Sequence, residues 1–156
     1  MRVVDTNILL YAANADSEFH QPCRSYLERL RVDSVPSYLT WNICYEFLRV
    51  STHARVFRSP WRSGPAWSFI ENLLASPGFS MLLETSRHPA VLAQTLAELP
   101  DASGNLLHDV HTVAIMREHG ISQICTHDSD FARFPSLTVI DPIAGVGGYG
   151  LRHEST

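Results

Sequence analysis

Near its amino terminus the chain runs from two β-branched residues into a carboxylate and then directly into a helix signal: Val3-Val4-Asp5-Thr6-Asn7. The valines suit a short buried strand. Thr6 and Asn7 are favoured helix starters, and Ile8-Leu9-Leu10-Tyr11-Ala12-Ala13 reads as the helix they begin. A strand that ends on an acid and turns at once into a helix puts a charge at the carboxyl edge of a sheet. In open α/β sheets that edge is where ligands bind.

The same alternation continues along the chain. Helical patterns are expected over residues 19–31, from Thr40 to Ser51, over 66–75 behind Pro65, over 88–99 and over 105–119. Strand signals fall within 32–38 and over 79–83, 121–126 and 137–140. Pro77-Gly78 should stop the fourth helix, and Gly120 suits a left-handed residue at the end of the sixth. His127 to Phe131 reads as a turn. Strands that alternate with helices imply an α/β fold, a central mostly parallel sheet flanked by helices on both faces. No repeat or linker marks a second domain. The expected organisation is one domain over residues 1–142 and a glycine-rich tail over 143–156, with Gly145, Gly147, Gly148 and Gly150.

The 156 residues suffice for one domain with a proper core. No apolar run approaches the length of a membrane span, and the strand signal starts at the first residues, so a soluble, cytoplasmic protein is expected. Cys23, Cys44 and Cys125 are odd in number, widely spaced and without a CxxC, which reads as buried reduced thiols. The net charge of −4 gives no global basic field. All 12 basic residues are arginine, and lysine is absent altogether.

That absence sharpens the problem posed by four further acids. Glu46 is the single acid of a mostly apolar and aromatic helix, expected to be largely buried. Asp109 lies one turn from Leu106 and Val113 on another apolar helix, so its face should point inward. Asp128 and Asp130 follow the strand Ile124-Cys125-Thr126. An isolated ionised carboxylate in an apolar interior costs several kcal/mol unless it is paired or coordinated. Taken singly, each acid has a plain explanation: Asp128 and Asp130 as turn formers, Glu46 as a helix partner of Arg49. Taken together, they are best explained by convergence with Asp5 at the strand ends. A cluster of carboxylates repels itself unless divalent cations lie between them, and oxygen-only ligation suits Mg²⁺ or Mn²⁺. Such a metal activates water and stabilises charge on a phosphoryl group.

Asp5-Thr6-Asn7 after an amino-terminal strand, Glu46-Phe47 in the third helix, Asp109 in a late helix and Thr126-x-Asp128-x-Asp130-Phe131 resemble the PIN-domain ribonucleases. More narrowly, the set resembles the VapC-type toxins of type II toxin–antitoxin pairs. The likeness spans Arg2 to about Pro142 and includes Phe131-Ala132-Arg133-Phe134-Pro135. It implies a PIN fold with an acidic pocket for Mg²⁺ or Mn²⁺, endoribonuclease activity on RNA, a homodimer and a cognate antitoxin that covers the pocket. Carried over by position, Asp5, Glu46, Asp109 and Asp128 match the catalytic acids, and Asp130 matches an additional metal-site acid. Thr6, Asn7 and Thr126 match supporting hydrogen-bonders. Val110 departs from the pattern, since many relatives carry alanine there. The alternative function is a catalytically inactive PIN-like domain that only binds RNA or protein.

Arg49, Arg55, Arg58 and Arg62, with Phe57, Trp61 and Trp67, form the one basic and aromatic concentration, which suits either RNA or an antitoxin or dimer interface. His108, His111 and His127 flank the acids and could extend a metal site to mixed nitrogen and oxygen ligands. Haloacid-dehalogenase-type phosphatases and phospho-accepting receiver domains also place an acid after the first strand. Both need a lysine near it, and the phosphatase needs a second aspartate where Asn7 stands. A P-loop hydrolase is excluded by the absence of GxxxxGK[ST].

Overall fold

The computed structural model describes residues 1–144. Its elements run β1 (Arg2–Val4), α1 (Thr6–Ala13), α2 (His20–Leu30), β2 (Ser37–Leu39), α3 (Trp41–Ser51), α4 (Ser63–Leu74), β3 (Phe79–Met81), α5 (His88–Glu98), α6 (Leu106–Glu118), β4 (Gln123–Cys125), a 3₁₀ turn (Ser129–Arg133) and β5 (Thr138–Ile140). The five strands form one sheet in the order β3-β2-β1-β4-β5, and every pairing is parallel. The expected glycine-rich tail falls almost wholly on residues 145–156, outside the described residues. Among the described residues, no helix is long and apolar enough to cross a membrane.

Helix α1 packs on both α2 and α3, α3 packs on α4, and α5 packs on α6. With right-handed crossovers, winding outward through β2 and β3 and back to β4 puts these two groups on opposite faces. α6 is buried along most of its length, with Val110, Thr112, Val113, Ala114, Ile115 and Met116 all inside. Val110 is therefore accommodated in a helix that runs unbroken past it. The core is completed by Ile8, Leu9, Leu39, Ile43, Phe47, Ile70 and Ile124, with Phe131 of the 3₁₀ segment and Phe134 just after it fully buried. All three cysteines are buried and free.

Each strand is three residues long, shorter than the apolar runs suggest. Just past β4, the Thr126 amide still donates to the Ile140 carbonyl at 3.0 Å while its hydroxyl donates to Asp5 at 2.7 Å. The turn expected after it becomes a 3₁₀ helix, because the Asp128 carboxylate accepts from the Asp130 amide at 2.9 Å and caps it. Helix α4 begins at Ser63 rather than Ala66, with Pro65 still in its first turn. Gly78 is demanded by packing: a Cβ there would lie 1.9 Å from the Leu30 carbonyl oxygen. Gly120 has φ of +66°, as its place after α6 predicted.

The strand order reverses at β1, which has β2 on one side and β4 on the other. At such a switch point the two flanking connections leave in opposite directions and open a crevice at the carboxyl edge. Asp5 and Thr126 stand there as the first residues beyond β1 and β4, whose register pairs Val4 with Cys125. The amino-terminal ends of α1 and α3, which follow β1 and β2 directly, lie at the same edge. So does the start of α6, because α6 runs antiparallel to the β4 that it feeds.

Candidate functional site

Asp5 caps α1, its carboxylate accepting from the Thr6 amide at 2.8 Å. The same side chain accepts from Asn7 Nδ2 at 2.9 Å and Thr126 Oγ1 at 2.7 Å. Asn7 in turn donates to Thr126 Oγ1 at 2.9 Å, and the Asp128 amide donates to that hydroxyl at 3.0 Å. Three residues that follow two adjacent strands thus lock the ends of β1 and β4 together and orient Asp5. Burial raises the Asp5 pKa to about 6; the Thr126 and Thr6 hydrogen bonds oppose the rise, and the Glu46 and Asp128 charges add to it.

Asp109 sits in the first turn of α6, where the helix dipole favours an anion. Its pKa is nonetheless raised to about 7, by burial first and then by the charges of Asp5, Asp128, Asp130 and Glu46. Every one of these contributions raises the value. One carboxylate oxygen each from Asp109, Asp128 and Asp130 lies within 4.8 Å of the others, an arrangement that could hold a metal ion. The donor set is all oxygen, which fits a hard divalent cation rather than zinc.

Glu46 departs from expectation. Its side chain is 43% exposed, because α3 turns Ile43, Cys44 and Phe47 inward and leaves Tyr45 and half of Glu46 outside. It accepts from Thr6 Oγ1 at 3.2 Å, which ties it to the start of α1 beside Asp5. Its other oxygen faces Arg49 at 3.6 Å, the helix pairing that its spacing allows. One Glu46 oxygen thus faces the start of α1 and the other its helix neighbour Arg49.

The arginine-rich segment also differs from its sequence signal. Arg55, Arg58 and Arg62 are exposed, but Phe57 is buried and Trp61 packs edge-on against Phe47, Phe57 and Phe69. Those two aromatics anchor the loop to the core, Phe57 buried and Trp61 partly so. Trp67 instead lies parallel to Trp41, with ring centroids 6.3 Å apart. Of the three flanking histidines, His111 meets Glu84 at 2.9 Å and His127 meets Asp141 at 2.8 Å. Only His108 is left exposed beside Glu46, lining the same cleft.

Sequence reasoning passed over Asn42 and Thr112. Asn42 Nδ2 donates to Thr112 Oγ1 at 2.9 Å, joining α3 to α6 and so setting Glu46 relative to Asp109. The available signal was spacing: Asn42 precedes Glu46 by four residues on one helix face, and Thr112 follows Asp109 by three.

The PIN domain model matches residues 2–137. The chain is 36% identical over 145 residues to ribonuclease VapC43 of Mycobacterium tuberculosis, covering 93% of this chain and 97% of that protein. Among solved structures, VapBC2 of Rickettsia felis, bound to a DNA fragment from its promoter, superposes with a TM-score of 0.63 at 15% identity, over 89% of this chain and 96% of that one. Mycobacterium tuberculosis VapC20, described as a sarcin–ricin loop cleaving toxin, also gives 0.63, at 18% identity over 85% of this chain and 93% of that one. With a switch-point crevice, acids at its rim and a family match along nearly the whole folded chain, this protein belongs to the PIN-domain family.

Proposed function

We propose that this chain is the toxin of a toxin–antitoxin pair, an endoribonuclease that hydrolyses RNA phosphodiester bonds at the acidic rim. The observation that carries the reading is the gathering of Asp109, Asp128 and Asp130, with one carboxylate oxygen of each within 4.8 Å of the others; burial first, and then the charges of Asp5, Asp128, Asp130 and Glu46, raise the Asp109 pKa to about 7. The full-length likeness to a VapC ribonuclease supports the same reaction.

Asp109, Asp128 and Asp130 would hold the ion, Mg²⁺ or Mn²⁺, with Asp5 behind them and Glu46 at the open side. A bound divalent cation supplies positive charge that lowers the pKa of water and offsets charge building on the phosphoryl oxygens. Asp5, held by Thr6, Asn7 and Thr126, fixes the negative field against which the rest is set. Glu46, half exposed and hydrogen-bonded by Thr6, would accept a proton from the attacking water. The Asn42–Thr112 bridge keeps the two helices that carry Glu46 and Asp109 at a constant separation. Exposed Arg49, Arg55, Arg58 and Arg62 offer phosphate contacts. A cognate antitoxin and a second copy of the chain are the protein partners proposed, the first supported by the solved VapBC complex.

The test is cleavage of single-stranded RNA with Mn²⁺, with chelator, and with Asp5→Asn. Metal-dependent cleavage that the variant loses while keeping its circular dichroism spectrum is the expected result. Equal cleavage by folded Asp5→Asn would remove Asp5 from the reaction, whereas no cleavage by the parent together with no Mn²⁺-dependent rise in Tm would favour a binding-only domain.

A further inference from the structure

The acidic rim continues on one side into a cleft of about 370 Å³ between α3 and α6, lined by Asn42, Tyr45, Glu46, Arg49 and His108. That volume is within the range of roughly 300–1,000 Å³ usual for small-ligand sites. Tyr45, in the wall of this cleft, is 68% exposed, and Trp41, one turn before it and just outside the lining, is 44% exposed. The two rings lie 6.3 Å apart, and Trp41 is itself stacked on Trp67 at an interplanar angle of 18°. Large aromatics left this open at a cleft are a common mark of a binding surface.

We propose that Trp41 and Tyr45, with Arg49 and His108, form a stacking subsite for an unpaired RNA base next to the phosphate that is cut. The proposal rests on the ribonuclease reading above and adds where the neighbouring nucleotide lies. Three features select a nucleotide over a protein partner. Glu46 belongs both to the cleft and to the acid group, so an occupant of the cleft adjoins the reacting phosphate. Arg49 is 68% exposed and meets Glu46 at only 3.6 Å, leaving most of its donors free for a phosphate oxygen. The Trp67–Trp41 pair holds one ring flat, and a flat, rigid, partly exposed ring is what a base stacks on. In a chain of net charge −4, stacking also provides attraction that does not depend on a basic field.

The test uses the full chain and two probes, a randomised single-stranded RNA of roughly ten nucleotides and an abasic ribose-phosphate strand of equal length. Binding is read by fluorescence anisotropy in the Asp109→Asn background, and KM and kcat are read in the native chain. Tyr45→Ala and Trp41→Ala should each weaken RNA binding and raise KM roughly tenfold, with kcat little changed. Tyr45→Phe and Trp41→Phe should restore both, and binding of the abasic strand should not respond to any of the four. Unchanged RNA binding and KM in both alanine variants would overturn the subsite, as would an equal loss with the abasic strand. Loss of a dimer by light scattering with RNA binding intact would overturn it in favour of a protein interface. Base-dependent binding lost in Tyr45→Ala, in a native chain that cuts nothing, would support the subsite and overturn the nuclease. Cleavage with a KM indifferent to all four variants would do the reverse.

Discussion

Helix α6 carries two acids that meet the interior in opposite ways. Glu118, in its last turn, has a side chain with no exposed surface, and it is fully satisfied. It accepts from the Thr85 amide at 2.8 Å, the Thr85 hydroxyl at 2.6 Å and His88 at 2.6 Å. Burial pushes its pKa up, but the Thr85 hydroxyl, His88 and the Thr85 amide outweigh burial and leave it below the ordinary value. Asp109, in the first turn, is less buried and yet has its pKa raised to about 7, because its neighbours are burial and four other acids. A structural carboxylate is surrounded by donors until its charge is comfortable. A carboxylate kept for chemistry is left with its charge unanswered, at a cost in stability that a bound ion removes.

The largest test of this contrast is activity. Asp109→Asn should lower RNA cleavage by roughly a hundredfold or more, since each lost ion contact is worth several kcal/mol at the transition state. The same variant should melt no lower than the parent in chelator, because it removes a repelled charge. Glu118→Ala should do the opposite. Breaking a buried charged network costs about 3 kcal/mol, read as a lower urea midpoint at unchanged m. Mn²⁺ should still raise its Tm.

Stability against pH separates the two acids again. Asp5 and Asp109 have folded pKa values of about 6 and about 7, above their ordinary 3.8. Between those limits the folded state binds more protons than the unfolded one, so metal-free stability should fall as pH rises from 4 to 7. After allowing for solvent screening the change is on the order of 1–2 kcal/mol. Saturating Mn²⁺ should flatten that slope. The depressed Glu118 contributes with the other sign, its support being lost as pH falls. A metal-free protein whose stability rises steadily from pH 4 to 7 would count against the charge arrangement at the rim. The smallest effect concerns the bridge: Asn42→Ala should cost about 1 kcal/mol and lower kcat more than it raises KM, because Glu46 and Asp109 lose their common reference.

Much of this is legible in the sequence. Period and punctuation located the six helices and four of the strands, β2 lying at Ser37–Leu39 at the very end of its expected stretch, and acids at the ends of the β1 and β4 strands marked the carboxyl edge. What misled was averaging over a helix. α3 looked apolar throughout, so Glu46 was expected inside, whereas Trp41 and Tyr45 are the outward aromatics of an amphipathic helix. Likewise Phe57 and Trp61 sit among arginines in the chain but face the core in space. Glu118 gave no local sign of being buried, since its partners Thr85 and His88 lie some thirty residues away.

The amino-acid order by itself determined the alternating architecture, the parallel sheet and the placing of Asp5 and Asp128 just beyond strands, because these depend on local periodicity and on side chains close in sequence. Tertiary structure alone decided which acids share one field, which acid is neutralised by donors, and which aromatics remain free. Those outcomes depend on distances between segments that only the register of β1 on β4 and the packing of α3 near α6 bring together.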